Sequence, residues 1–369
     1  MTTNYVLQLC HGYDGPFLDC ARQYASLFAG RDYKVVTVYL TGAEDADVAR
    51  ESASDAVIFL NYRSHALRGL KLGVILDVRR INARYPFRFC IAHRFKPIYS
   101  ALLGTRLPVI GVHHAFGDYR RLSRRLFACA FRRRLSLLGV SDAVRDDLRA
   151  SLPSWSDTRI ETLHNRIDCA AVASTQLDRD AARSALKLPA DAWIVGNVGR
   201  LHPDKDQATL MRAFAKAQPD LPQGSLLAIM GSGRLEETLK SRAAHLGIAA
   251  SVCFLGQVPE GRRYFKAFDL FALTSDHEPF GMVLLEAMAA GVPVVCSDCG
   301  GAPEVVTESE RRFPLGDAEA LGRLLIQAAR DPRREDFSER LQTRFSDTAV
   351  RRVFWQLSML QAFTPESTC

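Results

Sequence analysis

The chain has 369 residues, of which 47% are hydrophobic and 24% charged, an ordinary globular composition at about two to three times the commonest domain length. No stretch approaches the roughly 18 uninterrupted apolar residues of a membrane-spanning helix, and the first residues lack the basic and apolar regions of an export signal. The nine cysteines are scattered and odd in number, which argues against a disulfide framework. We therefore expect a cytoplasmic protein with two domains and reduced thiols.

The first part of the chain alternates short β-branched or apolar runs with helical patterns, which predicts a parallel sheet covered by helices on both faces. The predicted strands are residues 5–10, 34–40, 56–60, 87–92, 108–112 and 135–140, and a last run of the pattern lies at residues 160–163. The pattern then loosens over residues 168–180, where Ala, Ser, Thr and Asp dominate, which indicates a linker. We place the first domain at residues 1–166.

A second series of the same kind follows and predicts a second doubly wound unit at residues 167–345. Its predicted strands are residues 193–198, 226–230, 252–255, 270–273 and 292–296. The helical pattern around Trp355, at residues 346–360, has apolar positions that need another surface, so we expect residues 346–369 to pack back toward the first domain. Two such units imply an α/β protein with a ligand cleft at the carboxyl ends of its strands.

Positive charge is concentrated between residues 63 and 134. The formal net charge of the whole chain is +7, but this segment alone holds 15 Arg and 2 Lys against two Asp. Within it, residues 118–134 place apolar side chains at three- and four-residue spacing, with arginines such as Arg124 and Arg125 on the remaining face, which predicts a basic amphipathic helix. Such a helix suits anionic lipid head groups, a phosphorylated acceptor or nucleic acid, and charge alone does not separate these from a solvated surface.

Residues 278–295, EPFGMVLLEAMAAGVPVV, carry two carboxylates around a turn that opens a helix. Gly281 permits close backbone approach there, and the unpaired N–H groups of the first helical turn favour an anionic or hydroxyl-rich ligand. Glu278 precedes the turn, and Glu286 lies about one helical turn further in. Carboxylates accept charge-assisted hydrogen bonds from sugar hydroxyls. The segment therefore predicts a sugar-binding site.

A second motif, GNVGRLHPDK at residues 196–205, follows a predicted strand. It places Arg200 and Lys205 five residues apart in a loop that opens a helix, where two cations can converge on a diphosphate. Gly231 and Gly233 form a tight turn between the next strand and its helix, at the edge of the sheet where ligands are expected.

Together these motifs resemble those of the retaining GT-B glycosyltransferases of the large family four, the group 1 glycosyl transferases. The resemblance implies two Rossmann-like domains that face each other across a cleft. It implies that Glu278 lies at the transferred sugar, that Glu286 binds the ribose hydroxyls, and that the Arg200 and Lys205 side chains neutralise the departing nucleotide diphosphate. Asp206 stands where that family often has glycine. Contacts to the donor are further implied for Gly231, Gly233, Val258, Phe280, Gly281 and Met282.

In the amino-terminal half fewer residues carry the resemblance. It implies a glycine-bearing loop near the donor phosphates or the acceptor, here Gly12 and Gly15, although the usual adjacent glycine pair is absent. It also implies a histidine that faces the transferred sugar, and we favour His113 over His114.

The end of a neighbouring strand, IAHRFKP at residues 91–97, is basic and predicts an anionic acceptor. The segment also resembles lipopolysaccharide-core transferases. The candidate acceptor residues are His93, Arg94, Lys96, His114, Arg124 and Arg125.

The resemblance implies a retaining sugar transfer from a nucleotide-diphosphate sugar, with a UDP-sugar favoured, to a glycan or glycolipid such as lipopolysaccharide core. The nucleotide sugar is a substrate, and we expect no cofactor and no metal, because Arg200 and Lys205 supply the positive charge. The D-x-D sequences at residues 45–47 and 178–180 fall in predicted loops without further ligands and are not expected to bind metal.

We expect the Arg-rich domain to contact anionic membrane peripherally, on the inner face of the cytoplasmic membrane, and we expect no nucleic acid partner. Two alternatives stay open. One is a nucleotide-sugar epimerase of the same fold, which needs no acceptor surface. The other is a non-enzymatic basic protein that binds nucleic acid or membrane, with a steep salt dependence.

Overall fold

The computed structural model describes residues 3–331 and 334–363. The chain divides into two compact units, the first made of the residues up to Arg166 together with those from Asp347 onward, and the second of Ile167–Ser346. Each unit is built on one sheet in which every paired strand runs parallel. The α/β architecture of two doubly wound units that the sequence predicted is confirmed.

The first unit holds a seven-stranded sheet of order β3-β2-β1-β4-β5-β6-β7. Its strands are β1 (Asn4–Cys10), β2 (Tyr33–Tyr39), β3 (Ala56–Phe59), β4 (Phe87–His93), β5 (Val109–His113), β6 (Leu135–Gly139) and β7 (Ile160–Thr162). Its α-helices before the boundary are α1 (Phe17–Ala25), α2 (Ala46–Glu51), α3 (Leu72–Arg84), α4 (Phe95–Gly104), α5 (Leu122–Ala130) and α6 (Asp142–Ser151).

The second unit holds a six-stranded sheet of order β10-β9-β8-β11-β12-β13. Its strands are β8 (Ile194–Val198), β9 (Leu226–Met230), β10 (Val252–Gly256), β11 (Leu270–Leu273), β12 (Val294–Ser297) and β13 (Arg312–Phe313). Its α-helices are α7 (Cys169–Thr175), α8 (Arg179–Ala185), α9 (Gln207–Ala217), α10 (Glu236–His245), α11 (Met282–Ala289), α12 (Ala302–Val305), α13 (Ala318–Arg330) and α14 (Ser338–Arg340).

The central strands are apolar on both faces because helices cover both sides of each sheet. In β4, every residue from Phe89 to His93 is buried, and in the second unit Leu210 and Phe214 of α9 share a core with Leu321 and Leu325 of α13. At about 25 cal/mol per Å² of apolar surface, this burial is the main favourable contribution to folding. Both sheets reverse their strand order once, between β1 and β4 and between β8 and β11, and such reversals open a crevice beyond the carboxyl ends of the strands.

The last helix, α15 (Asp347–Gln356), belongs to the first unit. Phe354 and Trp355 are buried and lie edge-on to the ring of Phe28, with centroids 5.6 and 5.5 Å away. The Trp355 indole N–H donates to the Leu27 carbonyl at 3.0 Å. The apolar face that the sequence left without a partner is therefore covered by residues near the end of α1.

Three local predictions were wrong. The segment at residues 168–180 is not an irregular linker, because the Asp168 carboxylate accepts a hydrogen bond from the Ala171 N–H and starts helix α7. The basic helix is shorter than residues 118–134, since Arg121 is extended and Phe131 has left the helical region. Strand β13 was missed because two residues are too few to show a periodicity.

The D-x-D sequences cap helices: Asp45 accepts hydrogen bonds from the N–H groups of Asp47 and Val48, and Asp178 accepts one from that of Ala181. Every cysteine among the described residues is free. Over residues 3–331 and 334–363, each helix is too short or too polar to cross a bilayer.

Candidate functional site

The carboxyl ends of β8 and β11 lie side by side where the second sheet reverses its order, and two loops begin there. The loop after β8 ends in the short 3₁₀ turn Pro203–Lys205, and the loop after β11 leads to Gly281 at the start of α11. The Thr274 hydroxyl donates to the Lys205 carbonyl at 2.8 Å, and the Asp276 N–H donates to the Asp204 carbonyl at 3.0 Å. These bonds hold the two loops together.

Lys205 and Glu278, which are 73 residues apart in sequence, meet at this edge. The Lys205 ammonium donates to Glu278 Oε2 at 2.8 Å, and the Ser275 hydroxyl donates to the same oxygen at 3.0 Å. The Glu278 side chain is 9% exposed and that of Lys205 20%. Because a buried ion pair is stable only when its hydrogen bonds are also satisfied, this cluster has a fixed geometry.

Two glycines allow the surrounding loops to approach closely. Gly231, at φ 139°, lies so near the backbone of Gly199 that an added Cβ would come within 1.9 Å of the Gly199 carbonyl oxygen. Gly300, at φ 60°, would place a Cβ 2.2 Å from the Glu278 carbonyl oxygen, which accepts a hydrogen bond from the Gly301 N–H at 2.8 Å. Side chains at these positions would push apart the loops that carry the predicted cations and carboxylate.

Helix α11 begins as the sequence predicted. Gly281 takes a left-handed conformation, at φ 97°, and the helix has no side-chain N-cap, so its first N–H groups are available to a ligand. The Phe280 side chain is buried against Phe345, with ring centroids 5.8 Å apart. Its predicted contact to a donor would therefore come from its backbone. Met282 is the first helical residue, and Glu286 lies in the second turn, half-buried.

Arg200 is placed differently from Lys205. Its side chain is 73% exposed and pairs with Asp204 at 3.3 Å, so in the free chain it contacts a carboxylate, and its contact with a diphosphate stays a prediction. The Asp206 backbone is left-handed, at φ 40°, and its carboxylate caps α9 through the Thr209 N–H. A left-handed residue explains why glycine suits this position. Val258 lies two residues beyond β10, half-buried.

Sequence reasoning missed Ser275 and Asp204. Ser275 directly follows Thr274 at the end of β11 and precedes Glu278 by three residues, so its place at a strand end was the available signal. Asp204 lies between the two predicted cations and was overlooked because a lone surface carboxylate is common.

In the first unit, His113 ends β5 and is fully buried. Its Nδ1 lies 2.7 Å from a carboxylate oxygen of Asp118, which also pairs with Arg124 at 2.8 Å. Burial alone would raise the pKa of Asp118, but the hydrogen bond to His113 and the charges of Arg124 and Arg94 outweigh it and lower that pKa. His113 Nε2 is buried and has no hydrogen-bond partner among the described residues.

The buried His93 and the half-buried His114 form a second pair, with His93 Nδ1 3.1 Å from His114 Nε2. Burial lowers the pKa of His93 well below its ordinary value and, together with the charges of His113 and Arg94, lowers the pKa of His114 to about 3. Both imidazoles are therefore neutral near pH 7. A protonated His93 or His114 is not available to attract an anionic acceptor, which limits the predicted role of this pair to hydrogen bonding.

The remaining candidates of this unit lie around the same strand ends. Arg94 is exposed and stacks on the Phe17 ring at 4.9 Å, and Arg125 is exposed on α5. Gly12 directly follows His11 and would place a Cβ 2.5 Å from the Thr41 hydroxyl, whereas Gly15, at φ 59°, has open space beside it. Burial lowers the pKa of His11, and the charges of Lys96 and Arg94 lower it further, which places His11 near the basic residues after β4.

Part of the second unit is similar in sequence to a known protein family. Residues 178–344 match the family "Glycosyl transferases group 1". We call residues 178–344 the glycosyltransferase domain because they match this family. The chain is 34% identical over 182 residues to the lipopolysaccharide core biosynthesis glycosyltransferase LpsE of Rhizobium meliloti, an alignment that covers 47% of this chain and 52% of LpsE. The chain thus spans about half the length of this relative.

Solved structures share the architecture over nearly the whole chain. A glycosyltransferase from Rickettsia africae ESF-5 matches with a TM-score of 0.79 at 15% identity, over 98% of this chain and 100% of that one. HepE of Anabaena, solved with UDP and glucose, matches with a TM-score of 0.77 at 19% identity, over 95% of this chain and 98% of that one. The predicted GT-B fold is confirmed, and the glycosyltransferase domain contains the cluster of Lys205, Ser275 and Glu278.

Proposed function

We propose that the chain is a retaining glycosyltransferase that moves a sugar from a nucleotide-diphosphate sugar to a glycan or glycolipid acceptor. The observation that carries the proposal is the ion pair of Lys205 and Glu278, held by Ser275 at the strand-order reversal of the glycosyltransferase domain. A half-buried ammonium beside a buried carboxylate offers one group for phosphate and one for sugar hydroxyls. UDP-sugar is the favoured donor, in line with the UDP and glucose bound to HepE.

In the proposed reaction the acceptor hydroxyl attacks the anomeric carbon from the face that the diphosphate leaves. The C–O bond to the diphosphate breaks as the new glycosidic bond forms, and the leaving phosphate oxygen takes the acceptor proton. Lys205 stabilises the charge on that oxygen, and Arg200 turns from Asp204 to assist, which is the electrostatic contribution expected to dominate such transfers. These two cations take the place of a metal ion, so we expect activity to survive EDTA.

The donor is tested with the full chain and a panel of nucleotide sugars that includes UDP-glucose, UDP-galactose and GDP-mannose. A ligand that binds only the folded state raises the melting temperature, so the true donor should stabilise the wild type and the UDP-sugars should do so most. Failure of every nucleotide sugar to raise it would contradict the proposal. NMR of the product formed from that donor shows whether the anomeric configuration is retained or inverted. Formation of an epimerised donor in the absence of any acceptor would indicate an epimerase.

The acceptor is proposed to be a lipid-linked glycan of the lipopolysaccharide-core kind, which is the activity named for LpsE. On α5, Leu122 and Leu126 are 59% and 62% exposed beside Arg121 and Arg125. Exposed leucines flanked by arginines suit the interface of an anionic membrane. The proposed location is therefore the surface of a membrane that carries the acceptor.

Flotation with phosphatidylglycerol vesicles tests this placement. The double substitution Leu122→Ser and Leu126→Ser should reduce vesicle binding by about tenfold, since burial of two leucines contributes at least 1.4 kcal/mol. The exposed Val353, on α15, provides the control substitution Val353→Ser. Equal vesicle binding by the wild type and the Leu122→Ser, Leu126→Ser variant would contradict the proposed membrane location.

A further inference from the structure

A cavity of about 400 Å³ lies in the first unit, among the segments that follow β3, β4 and β5. Its lining contains four cationic side chains and no carboxylate. The cations come from three different segments: Lys71 precedes α3, Lys96 lies in the first turn of α4, and Arg121 and Arg124 lie at the start of α5. The cavity is thus a point where the charge of the basic segment converges.

The positive charge of this cavity is largely uncompensated. Among the described residues, no carboxylate lies within 4.0 Å of Lys71, Lys96 or Arg121, whereas Arg124 pairs with Asp118. Burial lowers the pKa of the Lys71 ammonium, as do the charges of Lys96 and Arg124. Burial likewise lowers the pKa of Lys96, helped by neighbouring arginines. Like charges held together at a cost in the free protein indicate that a bound anion balances them.

Three helices begin at this cavity, and their N-caps are basic. Lys71 caps α3, Arg94 caps α4 and Arg121 caps α5, and none of the three has a side-chain hydrogen bond to its helix. Helices α2 and α6 of the same unit have the usual acceptors, Asp45 and Ser141. Because a helix N-terminus carries partial positive charge, basic caps add to the field of the four cations instead of reducing it.

Aromatic rings hold the cations in place without neutralising them. The Lys71 ammonium lies 4.2 Å from the centroid of the Tyr99 ring, and the Arg124 guanidinium 4.6 Å from that of Phe95. Phe127 stacks on Tyr99, with centroids 4.8 Å apart. The floor of the cavity is therefore rigid, and its volume falls within the range of about 300–1,000 Å³ of small-molecule sites.

We propose that this cavity is a phosphate-binding subsite that takes a phosphate group carried by the sugar acceptor. A phosphate monoester brings a charge of about −1.5 to −2 and three acceptor oxygens, which matches several convergent donors. The assignment to an acceptor rests on the proposed transferase function, whereas the binding of phosphate does not. The phosphate group can belong to a soluble phosphosugar or to a lipid head group, and the tests separate these sources.

Binding is measured by calorimetry on the full chain with glucose 6-phosphate, with glucose as the uncharged control ligand. The double substitution Lys71→Gln and Lys96→Gln should weaken glucose 6-phosphate binding by at least about tenfold, the loss typical of one charged contact. Lys34→Gln removes one lysine charge from an exposed side chain of β2, away from the cavity, and should leave the affinity within about twofold. Equal affinity in the wild type and the double variant, or an equal loss in Lys34→Gln, would overturn the subsite.

Thermal melting separates a binding role from a structural one. Without ligand, the double variant should melt at or above the wild-type temperature because a repulsive pair is gone. Inorganic phosphate should raise the melting temperature of the wild type and of Lys34→Gln, but not that of the double variant. If the double variant melts at a lower temperature than the wild type, the Arg121→Gln variant, at an exposed position, is measured instead. A melting temperature that phosphate raises as much in Arg121→Gln as in the wild type would also overturn the subsite.

Two further arms identify the source of the phosphate and its link to catalysis. Displacement of glucose 6-phosphate by vesicles that contain phosphatidic acid, a phosphate monoester, but not by phosphatidylcholine vesicles, would support a lipid head group, and no displacement would support a soluble phosphosugar. UDP titration of the same variants reports on the glycosyltransferase domain alone. Phosphate binding that depends on Lys71 and Lys96, without binding of UDP or of any nucleotide sugar of the panel, would refute the transferase function and keep the subsite, and the reverse result would refute only the subsite.

Discussion

At the scale of single residues, we expect the two members of the ion pair, Lys205 and Glu278, to have different roles. In the free chain Glu278 holds the ammonium at 2.8 Å, so a donor must compete for both groups. We expect a diphosphate to draw Lys205 toward its oxygens, which would leave the carboxylate to a sugar hydroxyl. On this proposal, the ion pair is exchanged for two ligand contacts when the donor enters.

Glu278→Gln should separate these tasks. We expect kcat to fall by about 10²–10³-fold, because a preorganised charge at the sugar is lost, while UDP binds at least as tightly since Lys205 no longer pairs with a carboxylate. Steady-state kinetics and UDP calorimetry measure the two effects. The exposed Glu237→Gln removes the same charge on α10 and should change neither. A large loss of UDP affinity with unchanged kcat would contradict this division of roles.

The lowered pKa values of His93 and His114 should make the first unit sensitive to acid. His114 has a pKa of about 3 in the folded chain and about 6.5 when unfolded, so the unfolded state binds more protons between these values. The contribution of the neutral His114 to the free energy of unfolding is therefore complete above about pH 6.5 and decreases as the pH falls toward 3. The His114→Gln variant keeps a hydrogen-bonding side chain beside His93 and should lose less stability between about pH 7 and pH 4.5.

Urea unfolding at both pH values provides the measurement. His65 is exposed, so His65→Gln should show the same acid sensitivity as the wild type. An acid sensitivity that stays unchanged in His114→Gln would show that this histidine does not titrate on unfolding.

At the scale of elements, the candidate site of the second unit consists of loops brought together by parallel strands. Gly231→Ala should separate the loops after β8 and β9, because its Cβ would meet the Gly199 carbonyl at 1.9 Å. We expect a loss of about 1–3 kcal/mol in unfolding free energy from strain, with a loss of UDP affinity as Arg200 and Lys205 shift. Gly224, at φ 78° with open space around it, gives the matched control.

The Gly224→Ala variant carries the same backbone strain without the clash, so it should lose stability but keep UDP affinity. Melting curves and calorimetry on both variants separate the two effects. Equal UDP affinity in Gly231→Ala and Gly224→Ala would mean that the close approach of the two loops has no part in nucleotide binding.

At the scale of the whole molecule, the chain leaves the first unit after Arg166 and returns to it at Asp347. Two contacts fix this return: Trp355 donates to Leu27, and the Arg31 guanidinium lies 5.0 Å from the Trp355 ring. The first unit is thus assembled from both ends of the described chain, and its stability depends on a helix remote in sequence.

Trp355→Ala should lower the unfolding free energy of the first unit by about 3–5 kcal/mol, through lost burial and the cavity left behind. The second unit folds around its own core, so UDP binding should persist. Denaturant unfolding followed by UDP calorimetry tests both expectations, with the exposed Val353→Ala on the same helix as the control. Loss of UDP binding together with stability would show that the units do not hold their cores independently.

The sequence by itself determined the fold class, most strands of the part of the chain that the structure describes and the two motifs of the glycosyltransferase domain. Strands buried on both faces need continuous apolar runs, and glycine with charged residues after such runs indicates the ligand edge of a sheet. These patterns are local, so they can be recognised in short stretches of consecutive residues. Helix α7 and strand β13 were not predicted, because a single capping bond and a two-residue strand leave little periodicity in the sequence.

Tertiary structure alone decided which charges meet. Nothing in the spacing of Lys205, Ser275 and Glu278 shows that one carboxylate oxygen serves both partners, and nothing in the sequence shows that Arg200 pairs with Asp204 instead. The same holds for the cavity of Lys71, Lys96, Arg121 and Arg124, whose members follow three different strands. The strand order of a sheet brings distant loops to one edge, and that order is set by the packing of the whole unit, which no local pattern contains.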